Sequence, residues 1–172
     1  LTSEAFIATW TTTPWTLPGN KAMSINPDFD YDLIEIEINS SKKSLVVSSK
    51  LLQKTLERYE LGKFNSLGQV KGKYLVGLKC KHPFLDQESL IISSSHVTDE
   101  IGTGFVHTAP AHGLEDYEAC RDYDFDNSSL VQADGKFLEG VPYVGGKKIS
   151  EANQVVMDIL NSKNLLMSKN KY

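Results

Sequence analysis

At 172 residues, 40% of them hydrophobic and 23% charged, the chain has the size and composition of one globular domain with a buried core. A formal net charge of −4, with arginine only at positions 58 and 121, excludes a free-standing nucleic-acid binder that works by neutralising phosphates. No apolar run approaches the roughly 20 residues that span a bilayer, so no membrane-spanning helix and no membrane partner is expected. Cys80 and Cys120 stand far apart and form no C-x-x-C, which suits a reducing compartment and offers neither a disulfide framework nor a zinc site. Local lysine clusters such as Lys71, Lys73, Lys79 and Lys81 still offer contacts to a nucleic acid, so weak binding is expected of the isolated domain. The opening Leu1-Thr2-Ser3 reads as a cut inside a longer polypeptide.

In chain order, Ala5–Ala8 is the end of a buried strand, and Lys21–Ile25 is a second strand closed by the turn Asn26-Pro27-Asp28. Leu33–Ile38 alternates, with Ile34, Ile36 and Ile38 on one face and Glu35 and Glu37 on the other. A turn over 39–43 and Leu45–Val47 complete a hairpin. A helix is predicted over 50–59, capped by Ser48 or Ser49, with Leu51, Leu52, Leu56 and Tyr59 buried and Gly62 as its stop. From Lys63 to Phe84, glycines and lysines indicate short strands and one helical turn. Leu90–Ile92 and Gly102–Thr108 are strands, and Glu115–Tyr123 is a short helix. Asp134-Gly135 turns a hairpin between Leu130-Val131 and Phe137-Leu138. The final helix, capped by Ser150, carries Ala152, Val155, Val156, Ile159 and Leu160 at helical spacing, and a strand over 165–167 closes the domain. Short strands with a few helices predict an α+β fold: a β-barrel-like core of short, mostly antiparallel strands with peripheral helices.

Two stretches stand apart. Thr9–Asn20 reads T-W-T-T-T-P-W-T-L-P-G-N, with Thr9, Thr11, Thr12, Thr13, Thr16 and both tryptophans, Trp10 and Trp15. Two prolines and a glycine bar a regular element there, so the stretch reads as a strand tip offering a row of hydroxyls. The plain alternative is a threonine-rich edge strand. Gly102–Tyr117 reads G-T-G-F-V-H-T-A-P-A-H-G-L-E-D-Y. Its glycines permit close backbone or ligand approach, His107 sits at a strand end, and Asp116 opens a helix whose dipole favours an acid.

Together the two motifs closely resemble the editing insertion of isoleucyl-tRNA synthetases. N-P-D-F-D-Y, K-H-P-F and the closing amphipathic helix extend the resemblance over the whole chain. The related valyl and leucyl enzymes carry T-T-R-P in the first motif and lack a histidine at the place of His107. The A-P-A-H-G form resembles the bacterial or organellar type. The H-I-G-H and K-M-S-K-S signatures of the synthetic site are absent, as in a fragment confined to the insertion. The resemblance implies a single editing domain, residues 1–172, cut from a longer class I synthetase, monomeric on its own and cytoplasmic.

It further implies hydrolysis of valine wrongly attached to isoleucine tRNA, with valyl-adenylate as a further substrate. This enzyme class is the known illustration of the problem: a pocket distinguishes one methylene by only about 150-fold, so a second sieve follows. An extra methylene forced into that sieve costs roughly 1–3 kcal/mol. Asp116 matches the amine-anchoring aspartate, the alternative being a carboxylate that meets only the helix dipole, and Glu115 is a solvated neighbour. Thr11, Thr12 and Thr13 match the threonine row that holds water near an activated ester, and strand alternation would send two of them into the pocket.

His107 matches a histidine lining the amino-acid side of the pocket, read as a wall and hydrogen-bonding group. Thr16, Asn20, Ala109 and Trp15 complete the substrate-binding set, Trp15 by stacking on adenosine or else as core, with Trp10 as core. His112 is a turn residue, and His82 and His96 carry no visible role. No metal or cofactor is expected in the domain, ATP and magnesium belonging to the parent's synthetic reaction. The expected partners are the valylated 3′ end of isoleucine tRNA and the rest of the synthetase chain. The rival classes are a metal hydrolase using His107, His112 and Asp116, a cysteine hydrolase using Cys120 and His107, and a module that only binds the tRNA end.

Overall fold

The computed structural model describes residues 4–38 and 41–169. Contacts group the chain into two compact units. The first comprises the chain up to Trp10, Met23–Leu78 and Ile91–Val106. Thr11–Ala22, Lys79–Leu90 and the chain from His107 onward form the second. The strands are β1 (Ala5–Ile7), β2 (Ala22–Ile25), β3 (Asp30–Ile38), β4 (Ser41–Ser48), β5 (Phe64–Lys71), β6 (Lys79–Lys81), β7 (Glu88–Ser93) and β8 (Phe105–Thr108). Helices α1 (Leu52–Arg58), α2 (Leu114–Cys120) and α3 (Ile149–Ser162) join three short 3-10 segments.

In the first unit the order is β1-β4-β3-β5, with β1 parallel to β4 and the remaining pairs antiparallel. The alternation of β3 buries Ile34 and Ile36 and leaves Glu35 and Glu37 towards solvent, where Glu35 meets Lys42 at 2.8 Å. Tyr31 is fully buried, donates to Gly104 O at 2.8 Å and meets Phe105 edge-on, and burial pushes its phenol up to about 12. A second four-stranded sheet has the order β6-β7-β2-β8, in which β6 and β7 form an antiparallel hairpin pairing Cys80 with Ser89. The α+β expectation thus holds, and the barrel-like core takes the form of two open sheets. Strands of three or four residues such as β1, β6 and β8 offer too few ladder groups to close a barrel.

Several local expectations give way to competing interactions. The threonine stretch is not a strand tip: β1 ends at Ile7, and Pro14–Gly19 winds into a 3-10 helix. Pro14 occupies its first position, where a missing N–H costs nothing, and Thr16 N and Asn20 N donate to Thr13 O and Leu17 O. Strand β4 resumes at Ser41 and not at Leu45, with Ile38 paired to Ser41, and the turn at 39–40 lies outside the described residues. Helix α1 starts later than expected, after a 3-10 turn over Ser49–Leu51, and no serine side chain caps it. It stops before Gly62 because Glu60 takes the left-handed conformation. The predicted strand from Gly102 begins only at Phe105, since Gly102 and Gly104 have φ of 87° and 83°. A Cβ at Gly104 would strike Ser48, whose N–H donates to Thr103 O, so the close backbone approach expected there is real.

The second unit has its core in Leu17, Phe84, Phe137, Val141, Val144, Ala152 and Val156, with Trp15, Val155, Ile159 and Leu160 packed against it. Ala152 and Val156 are the buried positions of α3, in line with its apolar spacing. Its cap is not Ser150, which is exposed; Lys148 N donates to the Glu151 carboxylate at 2.9 Å. Residues 165–169 form no strand. The Asp134-Gly135 turn is found: Val131 bridges Phe137, and Gly135 has φ 77°.

Candidate active site

All the singled-out site residues fall within the second unit. Thr16, just inside the 3-10 helix, donates its hydroxyl to Thr13 O at 2.8 Å. The same oxygen lies 3.0 Å from His107 Nε2 at the end of β8. On the other side of the ring, His107 Nδ1 is 2.6 Å from Asn20 Nδ2. Asn20 Nδ2 also faces Ala22 O at 2.9 Å and Thr108 O at 3.5 Å, while Ser89 donates its hydroxyl to Asn20 Oδ1.

These contacts determine where the protons lie. Two carbonyls demand a donor, so Nδ2 is the nitrogen end of the Asn20 amide, and His107 Nδ1 must accept from it. At the opposite end, the single hydroxyl proton of Thr16 is committed to Thr13 O, so His107 Nε2 must carry a proton and donate it. Both ends give the same neutral Nε2–H tautomer. A chain of donors therefore runs from Asn20 through His107 and Thr16 to the backbone of Thr13. Burial, with His82 and His112 adding to it, pushes the His107 imidazole down to about 3. An imidazolium would place Nδ1–H against the Asn20 NH₂. Both ring nitrogens of His107 are thus taken up within the protein, which fixes the ring.

The other threonines of the motif precede the 3-10 helix. Thr13 N donates to Thr11 Oγ1 at 3.0 Å, and the two hydroxyls stand 3.4 Å apart. Thr12 and Thr13 are exposed and Thr11 half-buried. Because the stretch is a bend followed by a 3-10 helix, the alternation of a strand does not govern which hydroxyls point together; Thr11 and Thr13 are the joined pair.

Asp116, half-buried near the start of α2, accepts from Ala109 N at 2.8 Å and so closes the loop that follows β8. Ala109 is 1% exposed, and its own carbonyl accepts from His112 N at 2.9 Å, which confirms His112 in a turn. The His112 ring meets Trp15 edge-on at 4.9 Å, and Trp15 N donates to Asn153 Oδ1 on α3. Trp15 is half-buried against Phe137 and the core. Burial pushes the His112 imidazole down, opposed by the Asp116 charge.

His82, whose role is not visible in the sequence, is a structural clamp: Nε2 donates to Leu17 O at 3.0 Å and Nδ1 accepts from Leu85 N at 2.9 Å. Gln87 donates to Asn20 O at 3.1 Å. Sequence reasoning missed Gln87, Ser89 and Asn153, since a lone polar residue in a loop, a strand or a helix carries no motif. Among the described residues no three His, Cys, Asp or Glu side chains are placed to hold a metal ion. Burial, with the Asp116 charge, pushes the Cys120 thiol up to about 11, far from an activated nucleophile.

No family model matches the chain. Its fold is that of a CP1 editing domain. The GlLeuRS-CP1 crystal structure superposes with a TM-score of 0.77 over 99% of this chain and 84% of that one, at 13% identity. The editing domain of the P. knowlesi cytosolic leucyl-tRNA synthetase gives 0.71 over 94% and 82%, at 14% identity. In sequence the chain is similar to isoleucine–tRNA ligases: 44% identical over 165 residues to that of Nitrosomonas europaea, and 40% over 169 residues to that of Coxiella burnetii. These alignments take in 96% and 98% of the chain but only 17% and 18% of the relatives' length. The chain is thus similar to one segment of the isoleucine–tRNA ligases and has the fold of a CP1 editing domain.

Proposed function

We propose that the chain is a post-transfer editing domain that hydrolyses the aminoacyl ester of valine on isoleucine tRNA and rejects isoleucine by size. It acts as an ester hydrolase within an isoleucine–tRNA ligase, in the cytoplasm. The carrying observation is the neutral, fully bonded His107, joined through Thr16 to the backbone of Thr13, whose hydroxyl is linked to that of Thr11. Such a site offers positioned hydroxyls and no charged base, which suits a substrate that is already an activated ester.

Water is the nucleophile. Thr11 and Thr13 hold it near the carbonyl; it adds, the carbon–oxygen bond to the ribose breaks, and the ribose hydroxyl recovers a proton as valine leaves. Asp116 anchors the α-ammonium of the amino acid, and Ala109, beside it, forms the floor of the pocket. His107, through Thr16, keeps the threonine stretch in place. Trp15, Thr16 and Asn20 frame the tRNA's terminal adenosine and the valine. No metal takes part, while ATP and magnesium serve the parent's synthetic reaction. Valyl-adenylate is a second substrate of the same pocket, and the domain alone is a monomer.

The test is binding of a non-hydrolysable valyl-adenosine analogue, followed by calorimetry. The wild-type chain binds it, and Asp116→Asn weakens binding at least about tenfold, the usual scale for a lost charge-assisted hydrogen bond. Equal binding by wild type and variant contradicts the amine anchor.

A further inference from the structure

The β6–β7 hairpin holds the loop that carries the site. His82 and Gln87 donate to the backbone carbonyls of Leu17 and Asn20, and Ser89 donates to the side chain of Asn20. Ser89 is the unusual member. It is 2% exposed and stands beside Leu90, Ile91 and Ile92 in β7, where an apolar residue would satisfy the strand pattern. A buried hydroxyl there needs a partner, and its partner is Asn20 Oδ1.

With Oδ1 held by Ser89, both ends of the Asn20 amide are engaged: the oxygen by Ser89, the nitrogen by Ala22 O and His107 Nδ1. Without the hydroxyl, Oδ1 is a bare buried acceptor, and the amide must shift to find another donor. Any such shift moves the group that His107 Nδ1 accepts from. The disturbance then passes along the chain to Thr16 and the backbone of Thr13.

We propose that Ser89 is a positioning residue of the editing site: acting through Asn20, its hydroxyl orients the His107 ring and thereby the threonine stretch. The catalytic part of this rests on the editing reading above; the structural coupling does not. Ser89→Thr and Ser89→Val differ by one hydroxyl at nearly constant size, so together they separate loss of the donor from loss of packing.

The experiment has two readouts, taken on the 172-residue chain for wild type, Ser89→Thr, Ser89→Val, Asn20→Ala and Asn20→Ala/Ser89→Val. The first is nitrogen-detected NMR of the His107 ring, with no substrate present. Wild type and Ser89→Thr show one Nε2–H tautomer with a slowly exchanging proton; Ser89→Val exchanges it at least about tenfold faster, the scale of coupling within one hydrogen-bond network. The second is hydrolysis of valyl-tRNA(Ile). Here Ser89→Val loses about tenfold in kcat at unchanged KM, and loses nothing further in the Asn20→Ala background.

Unchanged His107 signals in Ser89→Val, or additive losses in the double variant, overturn the proposal. A wild-type chain that cleaves no valyl ester overturns the editing reading and the catalytic half of this one, and the NMR readout then upholds or overturns the coupling by itself.

Discussion

His107 shows how a residue type commonly read as a titrating base becomes a fixed support. Its tautomer follows from two independent neighbours, an amide nitrogen on Nδ1 and a committed hydroxyl on Nε2. The folded chain holds its pKa near 3, below the ordinary value of about 6.5, so over that interval the unfolded state binds the proton and the folded state does not. Stability is therefore complete above pH 6.5 and falls as pH is lowered, by up to about 1.4 kcal/mol per pH unit for this group. His82 and His112, also pushed down by burial, act in the same direction. Urea unfolding between pH 7.5 and 4.5 should show this loss, and His107→Gln should make it shallower by about one proton. An equal slope in the variant would contradict the buried neutral assignment.

Cys120 provides a second prediction at this scale. With its thiol pushed up to about 11, Cys120→Ala should hydrolyse valyl-tRNA(Ile) as wild type does, within about a factor of two; a complete loss in a folded variant would restore the cysteine mechanism. At the residue scale the sequence pointed to His107, Thr16, Asn20 and Asp116 because they sit inside recognisable motifs. Ser89 and Gln87 were invisible because their partner, Asn20, lies 69 and 67 positions away.

At the level of elements, what the sequence concealed was competition between local signals and tertiary partners. Pro14 and Pro18 looked like breakers, yet a 3-10 helix tolerates one at its first position and another within its short run. Ser48, Ser49 and Ser150 looked like caps. Ser48 instead has its hydroxyl buried with no hydrogen-bond partner among the described residues, and Glu151 satisfies the start of α3. Where periodicity ran long, in β3 and α3, the reading held, because a buried face imposes its repeat on every position.

Backbone approach gives the prediction that belongs here. A Cβ at Gly72 would fall against the carbonyl of Asn26 and the Tyr31 ring, neither of which can move aside cheaply. Gly72→Ala should therefore destabilise the chain by about 1–3 kcal/mol in denaturant unfolding, whereas Gly62→Ala, with open space around it, should cost little. Equal costs would show that the Asn26 turn yields.

On the scale of the whole molecule, the chain is a small part of the relatives it matches, spanning 17–18% of their length. Its pattern of short strands and few helices indicated the α+β fold, and its two motifs the resemblance. The division into two compact units was not visible, since no linker or change of composition marks it. Among the described residues no helix is long and apolar enough to cross a membrane.

A net charge of −4 leaves little general attraction for tRNA, so the rest of a synthetase would supply most of the delivery. The reading then turns on the selectivity of one chemical step. The most direct measurement is single-turnover hydrolysis of valyl-tRNA(Ile) and isoleucyl-tRNA(Ile) at saturating concentrations of the chain. The account predicts that the valyl ester is cleared at least about tenfold faster, the discrimination that overfilling a packed pocket by one methylene provides. Equal clearance of the two esters would contradict it.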